Sequence, residues 1–472
     1  MRRLLLGFIF CWLLGIVIGL LKPDIVLVAG AVAMVAMVMV HPRLQVAAAC
    51  LALLLFGVLL GASSEALLAA QEKRCPKPEG KFSAVIVEGP AVKVSTADYV
   101  VRDGRGCNYL MKAPLDPLYT TGDELLVGGS WQSVQEIALK SPGYADYLKR
   151  QGIYASTSFA TITVQKEAPA AGGSHKIIRQ RMQAALSEPE ASLALGMVFN
   201  EAGTIPAEVT QTFRVTGLSH VLAISGSNIS LLAAILFASS FLMPVSGRAR
   251  AGIISLLLWL YVGFISWPVS AVRAVFFWTI ALFGFQVRAL VGFGTISLLT
   301  ATAMISFNPQ LLFDVGFQLS LAAVVGIVVA MMLVTPLATS CFFGAIQALA
   351  VMLGATLFTW PISVYAFGTL SVIGLLANIV VLPLLSLLYI LMLFVVVSSF
   401  VAQPVALMFA FGVHVLWRLI DVITRMFTSY SWGYWEGLHM PAWALLLWYA
   451  AFLAIATLIL RKQKRSWREI WA

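Results

Sequence analysis

Apolar segments of about the length of a membrane-spanning helix recur along this chain, and they constrain its fold more than any other feature. Three open the sequence, at residues 4–21, 24–40 and 46–63, and each approaches the ~20 residues that a helix needs to cross a bilayer. The pattern predicts a polytopic α-helical membrane protein of about 12 spans, some of them broken helices. The later candidates are centred near Leu231, Leu257, Thr279, Ile296, Val325, Met352, Leu384, Met408 and Leu453.

Composition excludes a soluble globular protein, because 60% of the 472 residues are hydrophobic and only 11% are charged. Such a chain has too few polar side chains to cover a water-exposed surface. The net charge of +10 does not by itself indicate a nucleic-acid partner, since much of the excess lies beside apolar segments, as at residues 461–468. Basic loops of this kind face the cytoplasm. They predict cytoplasmic N- and C-termini, with residues 4–21 retained as a helix.

One polar region interrupts the apolar segments. Between residues 72 and 166, short alternating runs are bounded by Gly, Pro and Asp, a pattern typical of strands joined by turns. We expect about five strands, with one short helix at residues 142–151, arranged as a small β-barrel of the OB-fold type or as a sandwich. The positive-inside rule places this domain outside the cytoplasm.

Changes in composition along the chain predict its division into domains. We expect a three-helix membrane segment (1–66), the OB-fold-like domain (72–166) and a linker with an amphipathic interfacial helix (167–190). A second membrane domain (191–460) and a basic cytoplasmic tail (461–472) follow.

The five cysteines favour a disulfide over a metal site. No CxxC spacing occurs, which argues against a metal cluster. Cys75 and Cys107 share the polar region and are the candidate pair, since thiols oxidise outside the cytoplasm. The other cysteines, Cys11, Cys50 and Cys341, lie in apolar segments.

The most unusual apolar segment is residues 217–230, GLSHVLAISGSNIS. Irregular backbone and polar side chains are costly in hydrocarbon, so this sequence predicts a broken helix that lines a hydrated path. Close helix packing through Gly and Ser is the alternative, but packing alone explains neither the His nor the Asn. The candidate lining residues are His220, Ser225, Gly226, Ser227 and Asn228.

Four more polar side chains are candidates for the same path. Arg273 could bind phosphate oxygens through paired hydrogen bonds, and an ion pair with Asp314 is the alternative. Asp314 and Gln318 are four residues apart, which places them on one helix face, although Asp314 could equally cap the helix that follows it. Asn378 is expected to bond exposed backbone near Pro383.

Five stretches of the chain, in this order, resemble the ComEC family of DNA-uptake channels. They are residues 141–154, 217–229, 267–274 and 308–320, and Ala377-Asn378 ahead of Pro383. The resemblance covers nearly the whole chain, with two departures. Many members carry His where this chain has Asn228, and we expect the form without a C-terminal metallo-β-lactamase-like domain.

The resemblance implies a competence-type channel domain at residues 191–460, in the cell inner membrane, through which single-stranded transforming DNA enters the cytoplasm. It implies no enzymatic activity, cofactor or metal. The implied partners are single-stranded DNA, membrane lipid, an extracytoplasmic DNA receptor, a separate nuclease, and a cytoplasmic helicase or single-strand-binding protein.

The resemblance also makes the OB-fold-like domain a candidate receiver of DNA. Tyr99, Tyr109 and Trp131 could stack on bases, with Lys149 and Arg150 contacting the strand. Such aromatic residues are more often part of a core, and the charges of this domain nearly cancel.

The sequence also permits two other functions. A polytopic transporter of a small polar or lipid-linked substrate would also use broken helices, but its loss should leave DNA uptake intact. A membrane enzyme with His220 as base and Ser225 as nucleophile lacks an evident third orienting group.

Overall fold

The computed structural model describes residues 45–462 with short gaps, together with a few residues of the first predicted span. The gaps are residues 93–95, 115–118, 120–121, 167–172, 202–204, 223, 243, 287–291, 335–342 and 430–432, and the earlier residues are 9, 12, 13, 16 and 17. The predicted span at 24–40, most of that at 4–21, the linker 167–172 and the tail beyond 462 lie outside the described residues.

Helix α1 (Gln45–Arg74) leads into a closed five-stranded barrel. The strand order is β1-β2-β3-β5-β4, with β3 and β5 parallel and the other neighbours antiparallel. A separate strand-rich domain is thus confirmed. The strands are β1 (Phe82–Val92), β2 (Ala97–Asp103), β3 (Asn108–Ala113), β4 (Glu124–Ser133) and β5 (Ile153–Lys166), and helices α2 (Val134–Ala138) and α3 (Pro142–Arg150) join β4 to β5.

Side chains fill the interior of the barrel. Alternation along a strand sends every second residue inward, and Ala97, Tyr99 and Val101 of β2 are accordingly completely buried. The rings of Tyr109 and Trp131 meet edge to face with their centroids 5.7 Å apart, an arrangement that aromatic pairs favour. The apolar alternation of the sequence therefore builds a packed core.

A disulfide and a turn fix one corner of the barrel. Cys75, just after α1, is bonded to Cys107 at the start of β3, with their Cα atoms 5.6 Å apart. Asp103 shapes the preceding turn by accepting hydrogen bonds from the backbone N–H groups of Arg105 and Cys107, both at 2.9 Å. Burial alone would raise the pKa of Asp103, but these bonds and the Arg105 guanidinium outweigh it and hold the pKa below its ordinary value.

The membrane region is helical. Short 3₁₀ helices lie at Ser240–Leu242 and Pro309–Phe313, and β6 (Leu370–Ser371) pairs with β7 (Tyr434–Trp435). In chain order the helices are α4 (Gly173–Ala185), α5 (Glu190–Phe199), α6 (Ala207–Val215), α7 (Ser219–Leu222), α8 (Gly226–Ser239), α9 (Gly247–Phe264), α10 (Val269–Gln286), α11 (Phe293–Phe307), α12 (Val315–Val334), α13 (Phe343–Phe367), α14 (Ile373–Ser399), α15 (Gln403–Thr428) and α16 (Ala442–Lys462).

Six of the described helices are long and apolar enough to cross a membrane, namely α9, α10, α12, α13, α14 and α15. Shorter apolar stretches occur in α5, α8, α11 and α16. The class predicted from sequence, a multi-pass membrane protein with a soluble sheet domain, is confirmed. The count of about 12 spans and the OB-fold assignment remain predictions.

The helix predicted to lie on the membrane surface, α4, packs by its apolar side against other helices. Ile178 and Met182 are buried in the largest apolar cluster, which α4 and α5 form with α14 and α15. All ten residues of α5 are buried. The α4–α5 pair is therefore built into the helical domain.

Two glycines allow α12 and α13 to touch through their backbones. A Cβ built on Gly326 would overlap the carbonyl of Gly354, and one built on Gly354 would overlap that of Gly326. Small residues at such a crossing permit the close approach that stabilises helix pairs in lipid. Gly344, near the start of α13, has nothing within 4 Å of its Cβ position.

We expect Gly354→Ala to destabilise the protein, because the new methyl group must separate α12 from α13. Gly344→Ala is the matched control on the same helix, and it should be neutral or slightly stabilising because Ala favours helix over Gly by about 1 kcal/mol. Thermal unfolding of the detergent-solubilised protein measures both. Equal effects of the two substitutions would contradict the close crossing.

Acid should weaken the corner of the barrel held by Asp103. Since its pKa is depressed on folding, this carboxylate contributes stability above its unfolded pKa of about 3.9, and the contribution is lost as the pH falls through the folded value. The difference in unfolding temperature between the natural protein and Asp103→Asn should therefore shrink below about pH 4. A difference independent of pH from 3 to 7 would argue against it.

Candidate functional site

The segment 217–230 is interrupted, as its sequence predicts. Helix α6 ends at Val215, and Gly217 then adopts a φ of +69° that L side chains rarely take. A Cβ there would lie 3.3 Å from the Cα of Gly374, so the turn and the contact with α14 both favour glycine. The single turn α7 follows, and α8 begins after extended backbone at Ser225.

Hydroxyl groups satisfy the backbone at the break. Ser225 is the N-cap of α8, and its side chain accepts a hydrogen bond from the backbone N–H of Asn228 at 3.4 Å. The hydroxyl of Ser227 lies 2.6 Å from that of Ser225. From α10, Ser270 donates to the carbonyl of Ile224 at 2.6 Å. The break is thus held by short polar side chains of two elements.

Asn228 joins the first turn of α8 to the end of α5. Its side chain is buried, and Nδ2 donates to the carbonyl of Met197 at 3.3 Å. The hydroxyl of Tyr261 on α9 donates to the next carbonyl, that of Val198, at 2.5 Å. In this structure Asn228 therefore binds protein backbone and does not face an open path, while Ser227 is exposed.

The side chain of Arg273, a residue of α10, reaches the N-terminus of α8. Its Nη2 would be 3.9 Å from a Cβ built on Gly226, and its Nη1 is buried with no hydrogen-bond partner among the described residues. The N-terminus of a helix carries a partial positive charge. A guanidinium and a helix N-terminus therefore meet here, and both attract anions.

Asp314 is the acidic group that acts electrostatically on Arg273, but its carboxylate is engaged elsewhere. Oδ1 accepts a hydrogen bond at 2.7 Å from the backbone N–H of Phe317, in the first turn of α12. Gln318 donates through Nε2 to the carbonyl of Leu312 at 2.7 Å. Asp314 thus caps α12, as one of its two predicted roles requires, and forms no ion pair with Arg273 among the described residues.

Two candidates of the membrane region remain, His220 and Asn378. His220, in the single turn α7, is exposed. Asn378 on α14 has a buried Oδ1 with no hydrogen-bond partner in the described part of the chain. It was expected to bond backbone near Pro383, and its amide oxygen does not do so.

In the barrel, the predicted base-stacking residues belong to the core. Tyr99 and Tyr109 are completely buried and Trp131 is 6% exposed, so none of them presents a ring to a base. Lys149 forms an ion pair with Glu72 of α1, at 2.6 Å. Arg150 bonds Glu65 of α1 and Gln310 of the 3₁₀ turn before α12.

Sequence reasoning did not anticipate a contact between a buried carboxylate and a half-exposed histidine. Glu190, at the first turn of α5, is 2% exposed, and its Oε1 lies 2.8 Å from Nδ1 of His414 on α15. Ser187 donates to its other oxygen at 3.1 Å. The only local signal was an acidic residue at the head of an apolar run. Among the described residues, no three His, Cys, Asp or Glu side chains are grouped to hold a metal ion.

The helices, the separate barrel and the polar break define a multi-pass membrane protein with a hydrophilic site inside its helical domain. Residues 197–462 match the model of the Competence protein family, and the chain belongs to that family. The matched range contains every candidate residue of the membrane region. The resemblance drawn from the sequence motifs is thereby confirmed.

A curated relative supports the same family. ComE operon protein 3 of Bacillus subtilis (strain 168) is 26% identical over 246 residues, which are 51% of this chain and 31% of the relative. The chain thus aligns with about a third of that protein's length. No solved structure is significantly similar to this chain.

Replacing Asn228 tests its structural contact. In Asn228→Leu the carbonyl of Met197 loses its partner, which should cost about 1–3 kcal/mol of stability. Ser227→Leu, one residue earlier and exposed, should cost much less. Thermal unfolding in detergent compares the two, and a smaller effect at position 228 than at 227 would exclude the contact.

Proposed function

We propose that this protein is an inner-membrane channel through which single-stranded DNA enters the cytoplasm during natural competence. Membership of the Competence family supports a role in DNA uptake, and the site in the helical domain supports a polar path. The barrel, for which the strand order and the parallel β3–β5 pair favour an OB-type assignment, lies outside the cytoplasm in this proposal. Both termini are then cytoplasmic.

The observation that carries the proposal is the buried Nη1 of Arg273, which has no hydrogen-bond partner among the described residues, beside the N-terminus of α8. A cation in a membrane region is costly unless it meets a counter-ion or water. A passing phosphate would supply both the charge and the acceptor oxygens that Arg273 lacks, and the backbone N–H groups of α8 would add to the attraction.

The surroundings of Arg273 favour weak, reversible binding of a phosphate over tight binding. Asp314 reduces the positive potential without bonding the guanidinium, so a phosphate is attracted but not trapped. Ions cross a channel only if each site binds weakly enough to release them. The hydroxyls of Ser225 and Ser227 and the accessible ring of His220 would offer further hydrogen bonds along the path.

Other proteins must complete the process in this proposal. An extracytoplasmic receptor would deliver DNA, a separate nuclease would remove the second strand, and a cytoplasmic helicase or single-strand-binding protein would retain the product. We also propose that the chain has no enzymatic activity of its own.

Arg273→Gln should lower transformation frequency about 10- to 150-fold, because a hydrogen bond to a charged group contributes about 1.5–3 kcal/mol. Arg273→Lys, which keeps the charge but not the planar fork, should fall between. Transformation is scored at equal protein abundance in the membrane.

Arg250→Gln is the matched control. Arg250 lies on α9, and its guanidinium stacks on Phe241 at 4.4 Å, away from the break, so its loss should leave uptake near the natural level. Full uptake by the double variant Arg273→Asp with Asp314→Arg would instead assign Arg273 to a structural ion pair. Normal uptake in a strain that lacks the protein would reject the channel.

A further inference from the structure

An arginine of the barrel contacts the membrane region. Arg150, the last residue of α3, donates through Nη1 to the side-chain oxygen of Gln310 and, at 3.3 Å, to Oε1 of Glu65 on α1. Its guanidinium also lies over the ring of Phe313, 3.6 Å from the centroid. Gln310 and Phe313 both belong to the 3₁₀ turn Pro309–Phe313. A single side chain therefore bridges the barrel, α1 and this turn.

The turn is held from several sides. Gln310 is buried, and its Nε2 donates to Ser64 Oγ at 3.0 Å and to Glu65 Oε1 at 3.2 Å. Its backbone N–H donates to the side chain of Asn308 at 3.1 Å. Each polar atom of the Gln310 amide thus has a partner, and the acceptor oxygen depends on Arg150 of the barrel.

The turn leads directly to the proposed path. Asp314 follows Phe313, caps α12 and is the acidic group that acts on Arg273. Gln318 of α12 bonds back to the carbonyl of Leu312 in the turn. The position of the turn therefore determines where the Asp314 carboxylate lies relative to Arg273.

We infer that Arg150 is a positioning residue, through which the barrel sets the placement of Asp314 and hence the charge balance beside Arg273. This inference rests on the proposed function and goes beyond it. It gives Arg150 a different role from the DNA contact expected from sequence. A binding event that moves the barrel relative to α1 would move the Pro309–Phe313 turn and alter the field at the path.

The chemistry of the contact suits arginine in particular. A planar guanidinium can bond two acceptors in its plane while its face covers a ring, and Arg150 does all three. Lysine has neither the fork nor the flat face. Lys149, its neighbour, pairs with Glu72 of α1 and provides a matched comparison on the same helix.

Hydrogen–deuterium exchange of the full-length protein in detergent tests the inference. In Arg150→Gln, amides of residues 308–318 should exchange about tenfold faster or more, because a charge-assisted contact that holds the turn is lost. In Lys149→Gln the same amides should keep their natural rates. If Arg150→Gln folds poorly, Phe313→Leu removes the ring contact without changing a charge and should accelerate the same peptide.

Ion selectivity provides a readout that loss of stability alone would not move. In planar bilayers with a KCl gradient, Arg150→Gln should shift the reversal potential towards that of chloride, in the same direction as Asp314→Asn. Lys149→Gln should not shift it. An unchanged exchange rate at 308–318, or a shift equal in both α3 variants, would overturn the inference.

Binding of a fluorescent single-stranded oligonucleotide separates the two roles of Arg150. Equal loss of binding in Arg150→Gln and Lys149→Gln, with natural exchange at 308–318, would make Arg150 a DNA contact and overturn the positioning role. If Arg273→Gln leaves uptake unchanged, the proposed channel is contradicted. Faster exchange of residues 308–318 in Arg150→Gln would still support the link between Arg150 and the Pro309–Phe313 turn.

Discussion

A bilayer offers no water to the backbone groups that a break in a helix frees, so each group needs a partner from the protein or from a hydrated cavity. Around the break before α8, short side chains meet this need. Ser225 caps the helix, Ser270 bonds the carbonyl of Ile224, and Asn228 reaches the carbonyl of Met197. The break is therefore maintained by specific hydrogen bonds, and the position of α8 relative to α5 and α10 depends on them.

Arg273 differs from these satisfied groups. Its buried nitrogen has no partner in the described chain, and it faces a helix end of the same electrostatic sign. Removing such a charge from water without a partner costs several kcal/mol, on the order of what a domain can tolerate. The arrangement is stable only if water or an anion reaches the guanidinium, and this requirement is the physical basis of the proposed path.

Sequence patterns predicted the strands and the helix break, which are local features. The contacts of the candidate site residues depend on partners that are distant in the sequence. Alternation marked the strands, and Gly and Ser marked the break before α8, because both signals act within a few residues. Buried and base-stacking tyrosines have the same local pattern, so Tyr99 could not be placed in the core from sequence. Asn228 finds its partner 31 residues away. Lys149 and Arg150 are adjacent and both bond α1, but Arg150 also reaches Gln310 of the 3₁₀ turn.

The character of the junction between barrel and helices matters for how the two could act together. A large apolar interface between barrel and helices would resist separation, because separation would expose apolar surface to water. The contacts of Arg150 are instead hydrogen bonds and a ring contact around the buried amide of Gln310. Polar interfaces within a chain permit relative domain motion more readily than large apolar ones. Because Arg150 is partly exposed and Gln310 is buried, the contact defines one relative position of barrel and turn, and water already reaches the group that holds it.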